Sequence, residues 1–206
     1  MAEFAPAPLV VYVVDDDASI RDSLALMLGL GGYATRLFAD AESFLVAFEP
    51  GWTGCVVADL RLPGLSGVEL QARVRGRGSA IPFVIITAHG DVPTARAAFR
   101  AQAVDFIEKP FEEIQLRQAI DTAFALERRR IDAAEMRQAD AARLSRLTPR
   151  EREVLEHSAR GLHAKEIGAR LGISPRTVEV HRARIMEKLE VRNIAELVRF
   201  AIAAER

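Results

Sequence analysis

The chain has one cysteine and no long hydrophobic run, and both shortages limit what it can be. A single cysteine, Cys55, excludes a disulfide framework within these 206 residues and is typical of a protein from a reducing cytoplasm. No apolar run reaches the ~18 residues of a transmembrane helix, so we expect no membrane association. The amino-terminal segment has no basic region followed by an apolar one, so we expect no signal peptide and a cytoplasmic location.

Net charge is also nearly absent, at −1, but it is unevenly distributed. Residues 1–111 contain 9 Lys/Arg against 13 Asp/Glu, whereas residues 148–206 contain 12 against 9. An acidic front and a mildly basic back predict two modules, of which the second is compatible with an anionic partner. A surplus of three cations is weak support when it stands alone.

Short apolar runs alternate with helical patterns through the first 120 residues. The predicted strands span residues 10–14, 34–38, 55–58, 83–87 and 104–107. The predicted helices span residues 19–30, 41–48, 68–75 and 92–101, and a fifth begins near residue 114. Continuous apolar strands alternating with helices predict an α/β domain with a five-stranded, doubly wound parallel sheet covered on both faces.

Polar residues follow four of these strands where each strand ends. Asp15 and Asp16 follow the first strand, Asp59 the third, Thr87 the fourth and Lys109 the fifth. Because the carboxyl ends of strands in such a sheet meet at one edge, residues nearly a hundred positions apart should converge there. This convergence is the strongest functional signal in the sequence.

The acidic residues of this edge predict a magnesium site beside a phosphoacceptor. Clustered carboxylates repel unless a cation neutralises them, and oxygen ligands with room for water suit Mg²⁺. Asp59 is then the nucleophile that forms an acyl phosphate, Lys109 supplies positive charge, and Thr87 donates a hydrogen bond. Each residue also has a simpler interpretation: Asp16 or Asp17 caps the following helix, Asp59 is a turn residue, Lys109 forms a surface ion pair and Thr87 ends a strand.

A long helix and a small all-α module follow the sheet. Residues 112–146 contain no glycine or proline and predict a linker helix, although a solvated charged spacer is an open alternative. Thr148, Pro149 and Glu151 form a helix-start pattern. A short helix, a Gly172-containing turn and a basic helix over 176–189 then predict a helix-turn-helix. The predicted domains are 1–125, 126–146 and 147–206.

Helical spacing divides the basic helix into a core face and an outward face. Val178, Ile185 and Leu189 should face the core. The predicted DNA contacts are Lys165, Arg176, Thr177, Glu179, Val180, Arg182, Ala183 and Arg184. Arg pairs with guanine, Glu accepts from cytosine and Val meets a thymine methyl, whereas Lys165, Thr177 and Arg182 suit phosphates. A packed helical unit with a merely solvated polar face is the alternative.

The motifs VVDDD, ADLRLPGLSG, IITAHGD and VDFIEKPF resemble the receiver domain of two-component response regulators, a flavodoxin-like fold. The resemblance implies phosphorylation of Asp59 by a sensor histidine kinase and a cis Lys109–Pro110 bond. It implies Mg²⁺ bound by Asp16, Asp59 and the carbonyl of Arg61, with Asp15 acting through water. It also implies that Phe106 and Thr87 form the switch. Gln102 departs from the glycine that the family often has before the fifth strand.

Residues 147–197 resemble the LuxR-type DNA-binding domain, and RTVEVHRARIMEKL is close to regulators of the FixJ type. The two resemblances imply a non-enzymatic transcription regulator that, when phosphorylated, binds double-stranded promoter DNA as a homodimer and works with RNA polymerase. Two other classes remain open. One is a constitutive DNA-binding protein whose receiver only docks partners, and the other is a Mg²⁺-dependent enzyme acting on a small phosphate ester.

Overall fold

The computed structural model of the chain describes residues 8–88 and 101–204. Residues 92–100 of the helix predicted over 92–101 lie outside the described residues. The chain divides into two compact units, Met1–Arg130 and Ile131–Arg206. Within the described ranges, no helix has the length and apolarity that a bilayer span requires.

The first unit contains a five-stranded parallel sheet. Its strands are β1 (Val10–Val14), β2 (Ala34–Phe38), β3 (Gly54–Asp59), β4 (Phe83–Thr87) and β5 (Asp105–Glu108). Their order is β2-β1-β3-β4-β5, and every neighbouring pair is parallel. The predicted α/β class and doubly wound sheet are therefore confirmed.

Helices cover the two faces of this sheet because its central strands are apolar on both sides. The helices described in this unit are α1 (Ala18–Leu30), α2 (Ala41–Ala47), α3 (Gly67–Gly76) and the first part of α4 (Glu113–Ser145). Alternate residues of a strand point to opposite faces. Tyr12 and Val56 accordingly pack with Phe44 of α2, whereas Val11 and Val57 pack with Leu28 of α1.

The long helix predicted after the sheet is present as α4, which runs from Glu113 to Ser145. Its first three turns bury Leu116, Ala119, Ile120 and Ala123 in the core of the first unit. Residues 132–139 are exposed, in keeping with a sequence that is mostly Ala, Glu, Arg and Gln there. The proposed boundaries at 125 and 146 stay predictions.

The second unit is a small helical domain. Its helices after α4 are α5 (Pro149–Ala159), α6 (Ala164–Leu171), α7 (Pro175–Leu189) and α8 (Ile194–Ala204). Thr148 caps α5 in a reciprocal capping box with Glu151, and Ser174 caps α7. Val178, Ile185 and Leu189 are fully buried, as their spacing predicts.

The turn between α6 and α7 depends on a close backbone approach at Gly168. A Cβ atom added there would lie 2.6 Å from the carbonyl oxygen of Ile173. Gly172 ends α6 in the left-handed conformation, with φ of 67°. These two glycines allow the close approach and the short turn that join α6 to α7.

Candidate functional site

Asp15, Asp59 and Lys109 meet at the carboxyl edge of the sheet, where their strands end. Lys109 Nζ donates to Asp59 Oδ2 at 2.5 Å and to Asp15 Oδ2 at 2.8 Å. The Asp15 side chain is 1% exposed, and those of Asp59 and Lys109 are 11% and 14% exposed. The structure therefore brings together residues from β1, β3 and the end of β5 in a largely buried ionic cluster.

The pKa of Lys109 reflects this setting. Burial opposes the charged ammonium, but the hydrogen bonds and negative charges of Asp15 and Asp59 outweigh it and raise the Lys109 pKa above its ordinary value of 10.5. Lys109 is thus held as a cation beside two carboxylates. A fixed positive charge at this position is suited to an anionic group attached to Asp59.

The two carboxylates also carry hydrogen bonds that orient them. Asp59 Oδ1 accepts from the backbone N–H of Arg61 at 2.8 Å, and Asp15 Oδ1 accepts from that of Asp17 at 2.9 Å. Asp17 itself caps α1 through Ser19 N–H. One aspartate of the DDD run is therefore a helix cap, as the simpler interpretation of that run allows.

The fit of this site to Mg²⁺ rests on its donor atoms. Two carboxylates share a single ammonium, so the cluster retains net negative charge, and carboxylate oxygens are the ligands that Mg²⁺ prefers. Asp16 is exposed, and Arg61 lies two residues after Asp59, in the loop that follows β3. Across residues 8–88 and 101–204, no three His, Cys, Asp or Glu side chains form a ready-made metal cage. Direct ligation by Asp16 stays a prediction.

Thr87 and Phe106 lie on adjacent strands next to this cluster. Thr87 is fully buried at the end of β4, and its carbonyl accepts from Lys109 N–H at 2.7 Å. Phe106 on β5 pairs with Ile85 of β4 and is partly buried against the core. The backbone thus joins the predicted switch threonine directly to the residue that contacts Asp59.

Arg21 is a residue of this region that sequence reasoning missed. Its guanidinium Nη1 donates to the carbonyl oxygen of Asp15 at 2.7 Å, which joins the first turn of α1 to the end of β1. A separation of six residues across a strand-to-helix loop has no periodic signature. The contact between Arg21 and Asp15 is therefore visible only in the folded structure, where the β1–α1 loop brings the two residues together.

Helix α7 presents a continuous outward face in the second unit. We call it the reading face, and it consists of Arg176, Glu179, Val180, Ala183 and Arg184, all of them exposed. Lys165 on α6 and Thr177 at the start of α7 are exposed as well. Val180 is 46% exposed although it is apolar, so its side chain is accessible on this face.

Arg182 does not share that exposure. It is 7% exposed, and its guanidinium donates to Ser158 Oγ at 3.2 Å, Leu162 O at 2.8 Å and Glu179 Oε1 at 2.9 Å. Two of its nitrogens donate to acceptors inside the protein and the third is bound by Glu179, whereas a phosphate contact needs exposed donors. This geometry does not support the predicted phosphate contact of Arg182.

Other cations of the second unit are also used internally. Lys188 Nζ donates to the buried Glu151 at 2.7 Å, and Arg150 donates to Leu171 O at the end of α6. The mildly basic sequence of this unit therefore overstates the charge that it can offer to a phosphate backbone. The cations left exposed include Lys165, Arg176 and Arg184.

Comparison with known families matches both units. Residues 11–121 match the family described as response regulator receiver domain. Residues 145–201 match the family described as bacterial regulatory proteins, luxR family. The two matches include the Asp15–Asp59–Lys109 cluster and the reading face.

Known proteins resemble the chain over nearly its whole length. The transcriptional regulatory protein FixJ of Bradyrhizobium diazoefficiens is 46% identical over 94% of this chain and 95% of that protein. The structure of the response regulator StyR covers 96% of this chain and 100% of its own, at 43% identity and a TM-score of 0.84. Full-length FixJ from B. japonicum covers 95% and 97%, at 45% identity and a TM-score of 0.58.

Proposed function

Because the chain belongs to the two-component response regulators, with a receiver domain and a luxR-family DNA-binding domain, we propose that phosphorylation of Asp59 switches its DNA binding. The donor is a sensor histidine kinase, and the target is double-stranded promoter DNA. The observation that carries this proposal is the contact of Lys109 with both Asp59 and Asp15.

The chemistry follows from the position of Asp59. A carboxylate oxygen of Asp59 attacks the phosphorus of the kinase phosphohistidine, so that a P–O bond forms, the P–N bond breaks and the imidazole leaves. The Arg61 N–H and the Lys109 ammonium orient the nucleophile beforehand. Lys109 then remains beside the new phosphoryl group and offsets its charge.

Asp15, Asp16, Asp59 and the backbone carbonyl of Arg61 are the groups that would hold Mg²⁺ at this site. Bound there, Mg²⁺ supplies positive charge to the phosphoryl oxygens. The net negative charge of the described cluster supports such a cation. The exposure of Asp16 supports a hydrated site, since Mg²⁺ usually keeps several of its waters.

Thr87 and Phe106 transmit the change. The Thr87 hydroxyl donates to a phosphoryl oxygen and draws the end of β4 inward, and Phe106 rotates with it. The backbone bond between Lys109 N–H and Thr87 O supports this coupling, because it joins the phosphate-binding lysine to the switch threonine. The rearranged face of the receiver then pairs with a second phosphorylated copy.

DNA recognition belongs to the reading face of α7. In a homodimer, two such helices lie on half-sites about 10 bp apart in the major groove. Arg176 and Arg184 suit guanine, Val180 suits a thymine methyl, and Lys165 and Thr177 suit phosphates. A regulator bound at a promoter acts on RNA polymerase, which is the further partner of this proposal.

The test compares the wild type with Asp59→Asn and Asp22→Asn, before and after treatment with acetyl phosphate and Mg²⁺. Asp22 is an exposed aspartate on α1, so its variant controls for the loss of one negative charge. Light scattering after size exclusion and binding to promoter DNA are both measured. We expect dimer formation and at least tenfold tighter DNA binding in the wild type and Asp22→Asn, and neither change in Asp59→Asn.

One result would contradict the switch, and another would contradict only its homodimer. Equal DNA affinity with and without the phosphodonor would support a constitutive DNA-binding protein instead. Phosphate found on Asp59 without any change in oligomeric state would remove the homodimer from the proposal and leave the modification in it.

A further inference from the structure

Arg182 occupies a buried position at the centre of the second unit. Its guanidinium joins three parts of this unit: Ser158 near the end of α5, the carbonyl of Leu162 between α5 and α6, and Glu179 on α7. Its side chain is only 8% exposed, whereas that of Glu179 is 58% exposed. A buried cation is thus hydrogen-bonded to a carboxylate that lies on the reading face.

The acceptors of the Arg182 guanidinium differ in how firmly the protein holds them. Ser158 is 3% exposed and the Leu162 carbonyl belongs to the backbone, so the guanidinium has two fixed acceptors. A planar guanidinium held at two points has one orientation, and its third nitrogen, Nη1, donates to Glu179 Oε1. The long Glu179 side chain would otherwise sample several rotamers at the surface.

We propose that Arg182 is a positioning residue for base recognition, which it performs by fixing the Glu179 carboxylate on the reading face. Oε1 of Glu179 is bound to Arg182, and Oε2 accepts from the N4 amino group of cytosine in the major groove. This inference rests on the proposed function, because it specifies which base the reading face selects and how.

The charge of Arg182 has a second effect on the same contact. A carboxylate that approaches DNA is repelled by the phosphates, and a neighbouring cation reduces that repulsion. The guanidinium lies 2.9 Å from Glu179 Oε1, so it offsets the negative charge where Glu179 is needed. A base-reading glutamate is therefore possible on a surface that binds a polyanion.

The experiment is selection of duplex DNA from a random-sequence library by the full chain treated with acetyl phosphate and Mg²⁺. The variants are Arg182→Lys, Glu179→Gln and the double variant. Arg199→Lys is the matched control, because Arg199 is exposed on α8 and outside the reading face. Thermal unfolding of each variant is measured alongside.

We expect the wild type and the control to select a motif with a preferred C·G pair in each half-site. Glu179→Gln and Arg182→Lys should lose about five- to tenfold of the preference at that pair and keep the preferences elsewhere in the motif. The double variant should lose no more than Glu179→Gln alone, because Arg182 acts on the base through Glu179.

Three results overturn the inference while the proposed function stands. The first is an unchanged motif in Glu179→Gln. The second is an Arg182→Lys variant that binds all DNA sequences more weakly by the same factor. The third is a double variant in which the two losses of base preference add. If Arg182→Lys folds poorly, Glu179→Gln still decides, because it leaves the Ser158 and Leu162 contacts intact. A wild type that selects no motif at all would contradict the proposed function itself.

Discussion

The Lys109 ammonium lies 2.5 Å from Asp59 Oδ2, although 50 positions separate the two residues in the chain. The same ammonium contacts Asp15, so one cation serves two buried carboxylates. The site is therefore held together by the group that is also expected to bind the phosphate.

Replacing Lys109 by glutamine should make the stability of the first unit depend more strongly on Mg²⁺. Without the ammonium, the two neighbouring carboxylates repel each other, and we expect the free energy of unfolding to fall by about 1–3 kcal/mol. This loss is smaller than that for breaking a fully buried ion pair, because water reaches the cluster. Added Mg²⁺ should restore more stability to Lys109→Gln than to the wild type. Thermal unfolding across a Mg²⁺ titration measures this, and equal stabilisation of both proteins would contradict it.

Gln102 adopts a left-handed backbone with φ of 62°, at the turn that leads into β5. Arg75 of α3 holds it, donating to Gln102 Oε1 at 2.6 Å. Gln102→Ala keeps the unfavourable conformation and loses the hydrogen bond, so we expect a cost of about 1 kcal/mol. Gln102→Gly relieves the unfavourable backbone conformation, so its free energy of unfolding should be higher than that of Gln102→Ala, whether below or above that of the wild type. Urea unfolding of the three proteins tests this order.

The Glu151–Lys188 pair predicts an acid-sensitive contribution to the second unit. Burial favours the neutral carboxyl, but the hydrogen bonds from Lys188 and Thr148 outweigh it and lower the Glu151 pKa below 4.5. A group with a lowered pKa stabilises the fold above its unfolded pKa and loses that contribution as pH falls through the folded value. Glu151→Gln should therefore cost about 1–2 kcal/mol near pH 7, and this cost should shrink as the pH falls below 4.5 and through the lowered pKa of the folded state.

Urea unfolding of the wild type and Glu151→Gln at several pH values provides the measurement. The two stability curves should converge as the solution is acidified. A difference that stays constant down to the lowest pH would assign the effect to packing of the side chain, because packing does not titrate.

Lys165 is expected to contact a phosphate and no base. Lys165→Gln should weaken binding to every DNA sequence by a similar factor and should reduce the slope of log affinity against log salt by about 1. Lys165→Arg, which keeps the charge, should preserve the slope. A change in sequence preference would instead indicate that Lys165 reads a base.

Gly168 allows the backbone of the α6–α7 turn to pass close to α6. Gly168→Ala would bring its Cβ within 2.6 Å of Ile173 O, and we expect a cost of about 1–3 kcal/mol together with weaker DNA binding. Gly29→Ala in α1 is the control, since its Cβ would meet nothing within 4 Å and should stabilise that helix by about 0.5–1 kcal/mol. Phosphorylation of Asp59 should persist in both variants.

The fold and the acidic site could be predicted because both depend on pattern. Continuous apolar strands specify a sheet that is covered on both faces, and the topology then gathers Asp15, Asp59 and Lys109 at one edge. Gln102 could not be predicted in the same way. Its left-handed turn is stabilised by Arg75, which lies 27 positions earlier in the chain, and glutamine itself does not favour that conformation.

Arg182 shows how residue type can mislead. A positive charge on a basic helix suggested a phosphate contact, yet Arg182 lies four residues after Val178 and three before Ile185, on the stripe that faces the core. The helical spacing therefore indicates a core-facing position for Arg182, whereas the prediction of a phosphate contact relied on its charge. Burial of an arginine is acceptable here because Ser158, Leu162 and Glu179 each accept a hydrogen bond from one of its three guanidinium nitrogens.

Cys55 gives the central strand a built-in reporter. It is fully buried in β3, four positions before Asp59, and burial raises the pKa of its thiol well above the ordinary value. A thiol reagent can therefore react with Cys55 only when β3 separates from its neighbours, so the labelling rate measures how often the strand that carries the phosphoacceptor opens. Conversely, any cysteine engineered on the surface becomes the sole reactive thiol of the folded chain, and dyes or spin labels can be attached there without removing Cys55.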